Sequence, residues 1–209
     1  MLKEFSIMQK LKYYGWQHFR SFYKDHIQMT VLLCTALFIG SILLFSVLLG
    51  NNAGLATKLL IRIDPNISTL LSFHGILPTL IKNLFTGFYL IALGIIPFLY
   101  IPAIFTVFNG SLIGILFGAT SYTNISHSMI LVNILPHGIV FIPAIILSAA
   151  CGIYVCKTIS NRILHKQHIH LCKDLLPLML RTYFLIIAPL MIVSTLIEVF
   201  ITPLIIALI

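Results

Sequence analysis

Leu135-Pro136-His137-Gly138-Ile139-Val140-Phe141-Ile142-Pro143-Ala144 is the stretch on which the fold turns. It sets a histidine and a glycine between two prolines. Around it the chain is oil: between Lys82 and Lys157 there is no Asp, Glu, Lys or Arg. A titratable, helix-breaking insert at membrane depth is costly, because backbone and imidazole must both be satisfied without bulk water. Such an insert distinguishes this chain more sharply than the apolar runs that surround it.

Composition fixes the class. Of 209 residues, 59% are hydrophobic and 9% charged, and the mean hydropathy is +1.07. Soluble domains carry about 25% charged residues. The reading is an all-α, polytopic integral membrane protein with about five transmembrane helices, each needing about 20 apolar residues. The net charge of +8 is no nucleic-acid footprint. Its Lys and Arg lie mostly at the ends of apolar segments, where they orient spans and meet anionic lipid. No cleavable signal peptide is expected, since Met1 to Thr30 is polar and aromatic. The first span is expected to act as an uncleaved signal-anchor.

Residues 1–28 form a cytoplasmic or interfacial arm; residues 29–209 form one transmembrane domain. The arm holds Lys3, Lys10, Lys12, Arg20 and Lys24 among aromatic residues, with Trp16, Phe19 and Tyr23 at helical spacing. That pattern suits an interfacial amphipathic helix whose bases snorkel. The first span is predicted over Met29–Leu49. Two short apolar segments, around Leu59–Ile63 and Ile67–Ile76, are too short to cross and read as surface-lying helices. A second span is predicted from about Leu80 to Phe105, bent by Pro97 and Pro102, with Asn109-Gly110 as the turn into a short helix ending near Ala119. The fourth span starts near Ser126, breaks at Leu135-Pro136 and runs to about Val155. The fifth begins at Leu175 and is broken by Pro203.

The basic residues agree with five spans. Lys157, Arg162, Lys166, Lys173 and Arg181 follow the fourth span, while only Lys58, Arg62 and Lys82 fall on the other side. The positive-inside rule then puts the N-terminus inside and the C-terminus outside.

Several residues carry specific expectations. Gly110, Gly114 and Gly118 recur every four residues and line one helix face, so another backbone can approach closely. That face serves packing within the chain, or else a homodimer or partner. Pro136 suits a helix start, since its missing N–H would be unpaired there anyway. His137 then bonds free backbone groups or a polar side chain, or else relays protons. Glu198 needs a partner or a watery pocket, and His137 is the candidate. His165, His168, His170 and Cys172 do not share one face, so no metal site is expected. Cys34, Cys151, Cys156 and Cys172 read as small hydrophobes. Neither a nucleophile–base pair nor a phosphate-cradling loop stands at motif spacing, so no enzyme and no cofactor are expected.

Taken in order, Asn83-Leu84, Phe108-Asn109-Gly110-Ser111-Leu112-Ile113-Gly114, Leu135-Pro136-His137-Gly138 with Ile142-Pro143-Ala144, and Thr195-Leu196-Ile197-Glu198 with Ile201-Thr202-Pro203 form a pattern. It resembles the stage II sporulation protein M family of bacterial and archaeal membrane proteins, over nearly the whole chain from about residue 29. Phe141 stands where that family typically has a glutamate, which marks a divergent member. The resemblance singles out Asn83, Asn109, His137 and Glu198 as intramembrane polar residues, and Pro136, Gly138, Pro143 and Pro203 as motif structure. It implies a non-enzymatic protein of the bacterial cytoplasmic membrane. One setting is sporulation, where the namesake holds peptidoglycan hydrolases at the septum. The other is bacteriocin maturation, export or immunity, beside an export ATPase and other membrane subunits. The rival reading is a transporter or permease using His137 and Glu198.

Overall fold

The computed structural model describes residues 23–52, 54–55, 58, 75–122, 127–165 and 175–207. Most of the arm, the segments expected as surface helices and residues 166–174 lie outside the described residues. Among those described there is helix and turn but no strand, and five helices are long and apolar enough to cross a membrane. We number them α1 (Gln28–Gly50), α2 (Ile76–Leu93), α3 (Ile101–Ala119), α4 (His127–Leu164) and α5 (Leu176–Ile206). The first span lies where the sequence puts it. Asn52 closes it by donating its side-chain amide to the Leu48 carbonyl at 3.0 Å.

The turn between α2 and α3 is not at Asn109-Gly110. It lies at residues 94–100, and Asn109 and Gly110 sit inside α3. Pro97 falls within the turn and Pro102 in the first turn of α3. Phe98 and Tyr100 take left-handed φ angles of 67° and 45°, which bulky residues adopt at a cost of about 1–3 kcal/mol each. Two side chains of α4 brace them. The Phe98 N–H donates to Ser160 Oγ at 2.9 Å, and Cys156 Sγ donates to the Ile96 carbonyl at 3.3 Å. Asn109 needs no turn, because its amide donates to the Phe105 carbonyl of its own helix at 2.9 Å.

Gly110, Gly114 and Gly118 serve packing within the chain. They face α1 so closely that an added Cβ would meet Ser41 and Phe38 at Gly110. It would lie 2.5 Å from the Ile42 carbonyl oxygen at Gly114 and 2.8 Å from that of Ser46 at Gly118. Two more glycines, unmarked by spacing, do the same between α2 and α4. A Cβ on Gly94 would strike the Gly152 backbone, and one on Gly152 would strike the Leu90 carbonyl and lie 2.8 Å from the Pro102 ring.

The helix at the centre is α4. Its most apolar window is 67% buried, against 17% for α1. Its run Ala144, Ser148, Ala149, Ala150 and Cys151 is fully enclosed, and the thiols of Cys34, Cys151 and Cys156 are free and buried. At 38 residues it is about 57 Å long, well beyond an apolar bilayer core of about 30 Å. It is not broken at Leu135-Pro136. Helix continues through Pro136 and Pro143, each of which removes one rung of the ladder, a loss that neighbouring helices let a membrane helix absorb.

In α5 the irregularity falls one turn before the proline. A five-residue π turn, Ile197–Ile201, precedes the helical turns that hold Pro203, and a second, Tyr183–Ile187, precedes Pro189. Thr202 reaches back five residues, its N–H and its hydroxyl both donating to the Ile197 carbonyl.

The glycines separate into two kinds with opposite expected outcomes. Gly152→Ala and Gly94→Ala should each destabilise the detergent-solubilised protein by about 1–3 kcal/mol through overpacking. Gly138→Ala meets only ordinary contacts, 3.5 Å to Ile134 and 3.6 Å to Ile142 of its own helix, and should be neutral or gain up to about 1 kcal/mol of helix propensity. Thermal unfolding of the three variants measures this; equal losses in all three would contradict the packing assignment.

Candidate functional site

Four residues of the motif pattern, Asn83, His137, Thr195 and Glu198, come together where α2, α4 and α5 meet. Asn83 is 5% exposed on α2. Its side-chain N–H₂ donates to Thr195 Oγ1 at 3.0 Å and to Glu198 Oε2 at 3.3 Å. Thr195 and Glu198 stand three residues apart, so one helix face presents both. The Thr195 hydroxyl gives its own proton to the Met191 carbonyl at 2.8 Å, which leaves an oxygen lone pair for Asn83. The chain of donors thus has one direction: amide, hydroxyl, backbone carbonyl.

His137 enters from α4. Its imidazole lies near enough to the half-buried Glu198 carboxylate to feel its charge. The Ser194 hydroxyl donates to the His137 carbonyl at 3.2 Å, tying α5 to α4 one residue from Thr195. The Phe141 ring sits 6.5 Å from the imidazole, centroid to centroid, tilted by 59°. Where relatives are expected to hold a carboxylate, an aromatic ring therefore stands. His137 Nδ1 is buried with no hydrogen-bond partner.

The group bonded to the Glu198 carboxylate is Asn83, where the sequence suggested His137. Asn109 belongs elsewhere, bonded within α3. The Pro136 and Pro143 positions shape α4 without a polar role. Sequence reading missed Ser194, and it missed Tyr183, whose hydroxyl donates to the Leu84 carbonyl at 2.8 Å beside Asn83. Tyr183 gave no signal because an aromatic residue in a span reads as lipid-facing. Chemically the cluster offers one carboxylate, one imidazole, one amide and two hydroxyls. Among the described residues no three His, Cys, Asp or Glu side chains gather as a metal site would require.

If Asn83 is the joint, its removal should cost more than one ordinary contact. Asn83→Ala is expected to destabilise by about 1–3 kcal/mol, because it leaves a half-buried carboxylate without its donor. Ser194→Ala should cost about 0.6 kcal/mol, typical of one interhelical bond in lipid. A double-mutant cycle of Asn83→Ala with Glu198→Ala, read by reversible unfolding in micelles, should return a coupling well above zero; additive losses would dissolve the joint.

Comparison with known proteins agrees with the motif pattern. The family model described as "Stage II sporulation protein M" matches residues 29–203. An uncharacterised protein of Methanocaldococcus jannaschii is 34% identical over 130 residues, which is 60% of this chain and 70% of that protein. No solved structure matches. The match takes in all five helices and every residue of the polar cluster, and the chain belongs to the stage II sporulation protein M family.

Proposed function

We propose that this protein is a non-enzymatic scaffold or accessory subunit of a multiprotein assembly in the bacterial cytoplasmic membrane, with its N-terminus inside and its C-terminus outside. Family membership fits a membrane accessory or sporulation-associated role. The observation that carries the scaffold reading is how the intramembrane polar groups are used. Asn83 bridges α2 to α5. The hydroxyls of Thr35, Thr106, Ser148, Thr158 and Thr182 each donate to a carbonyl of their own helix four residues back. A transport path is lined by polar groups left open to the cargo; here Asn83 is committed to a neighbouring helix and these hydroxyls to their own backbone. Its partners are peptidoglycan hydrolases in a sporulation-type setting, or an export ATPase and membrane subunits in a bacteriocin-type one. Anionic lipid meets the basic arm and loop, and self-association into a homo-oligomer fits the same role.

A second reading has one observation in its favour. His137 Nδ1 is a buried polar atom without a partner, beside a carboxylate. In a transporter or permease, that atom and Glu198 would exchange protons or cargo.

Glu198→Gln separates the two, because the amide oxygen can still accept from Asn83 while the charge is lost. In the scaffold reading, affinity-purified protein brings partner proteins with it. Glu198→Gln then shifts that recovery or the thermal stability, while liposomes holding the purified protein alone move neither protons nor solute. Proton flux in those liposomes that Glu198→Gln stops would overturn the scaffold reading. A knockout scored for spore engulfment and for bacteriocin release or tolerance assigns the setting.

A further inference from the structure

The turn between α2 and α3 joins two spans, and connecting segments ordinarily run through water. This one is built for the opposite solvent. Ile95, Ile96, Phe98, Leu99 and Tyr100 are each 40–58% exposed. Short loops on the basic side of a membrane protein carry Lys and Arg, and this turn holds neither. The backbone is the sharper sign. A turn in water can leave its N–H groups to the solvent, whereas non-helical backbone at membrane depth must satisfy them within the protein. From Gly94 to Leu99 every N–H is accounted for. Gly94, Ile95 and Ile96 donate to the carbonyls of Ile91, Ala92 and Leu93, and Leu99 donates to that of Pro97. Pro97 has no N–H to satisfy. Phe98 donates outside the turn, to Ser160 Oγ of α4 at 2.9 Å.

Depth follows from α4, against which the turn is laid. Gly94 meets Gly152, the Ile96 carbonyl meets Cys156, and the Phe98 N–H meets Ser160. Lys157 falls within that stretch of α4 and is exposed. From His127 to Lys157 the helix rises about 45 Å, which matches a bilayer with its headgroup regions, about 40–45 Å. The turn therefore stands at the level where acyl chains give way to headgroups. We infer that the α2–α3 turn is a membrane contact: its exposed apolar face lies in the lipid of the leaflet on the Lys157 side. The chain thus passes from α2 to α3 without presenting a loop to the water beyond. A soluble partner approaching this end of the bundle meets lipid at that place. The assignment lies apart from the His137–Glu198 cluster and stands whether the chain is a scaffold or a transporter.

The test places one fluorescent reporter on the turn of the full chain in phosphatidylcholine vesicles. Trp16 is the chain's only tryptophan, so Leu99→Trp in a Trp16→Phe background reports from the turn alone. Leu99 is 58% exposed and its φ is not left-handed, so the ring has room without strain. Replacing the lipid by chain-brominated phosphatidylcholine should remove most of the emission. Aqueous iodide should quench it severalfold less than it quenches free tryptophan in the same buffer. Two outcomes overturn the assignment. Iodide quenching close to that of free tryptophan puts the turn in water. Protection from both quenchers means that protein covers the face, as a second copy of the chain would. If Leu99→Trp does not fold, Ile95→Trp, at a position 49% exposed, is read in the same way against the same two outcomes.

Discussion

Once these helices lie in lipid, burying apolar surface no longer holds them together, because the tails outside are as apolar as the side chains within. What remains is close contact between backbones and the few hydrogen bonds that such contact allows. The molecule meets this constraint at α4. Ala144, Ser148, Ala149, Ala150, Cys151 and Gly152 make that helix thin along the middle of its length. Thinness lets α2 and the Pro102 turn approach until no Cβ fits at Gly94 or Gly152. A separate seam, Gly110-Gly114-Gly118 against Phe38 to Gly50, joins α3 to α1 by the same means. The lipid-facing helices are then free to be bulky, and α1 is.

Close approach is also what makes the polar cluster possible. A side-chain amide is short, so Asn83 can reach Thr195 and Glu198 only if α2 and α5 are drawn together. Gly87, one turn further along α2, permits this: a Cβ there would press on Ile187 and Met191 of α5 at 3.2 Å. Packing and polar bonding are one arrangement, with small residues setting the distance and Asn83 exploiting it. Each such bond is worth only about 0.6 kcal/mol on average in lipid. The carboxylate of Glu198 raises the stakes, because an unheld charge at that depth costs far more than the bond gains.

Much of this was legible in the sequence, and the errors share a cause. The all-helical bundle, its five spans and the packing role of the glycine repeat follow from hydropathy and spacing. Asn109-Gly110 misled because in water that dipeptide marks a turn, whereas in lipid the glycine marks an approach and the asparagine bonds to its own helix. The true turn carries no charge and little polarity; Phe98 and Tyr100 hold left-handed angles because Ser160 and Cys156 brace the residues about them. No local sequence signal contains a brace supplied from 60 residues away. Pro136 misled in the same sense, since a helix packed on several sides absorbs a missing rung that an isolated one would not. At the cluster, His137 and Glu198 were visible as costly residues, and Asn83 as part of the motif. Ser194 and Tyr183 were not, because nothing in their types sets them apart from the hydroxyls that merely bond back along their own helices.

The prolines of α5 explain how one helix can present the whole face. The ring of Pro189 or Pro203 would crowd the carbonyl four residues before it, and opening the preceding turn to π geometry relieves that clash. The Ala188 N–H accordingly reaches Tyr183, and the Thr202 N–H reaches Ile197. A π turn inserts one residue without lengthening the helix much, and so rotates everything beyond it by about 100°. Tyr183 and Thr195 both bond to α2, at Leu84 and Asn83. In regular helix their twelve-residue separation would leave them about 120° apart; one inserted residue brings them to within about 20°. The proline therefore acts at a distance from its own position. By forcing one widened turn between Tyr183 and Thr195, Pro189 turns both toward α2, and the contact between α2 and α5 depends on that turn as much as on Asn83 itself.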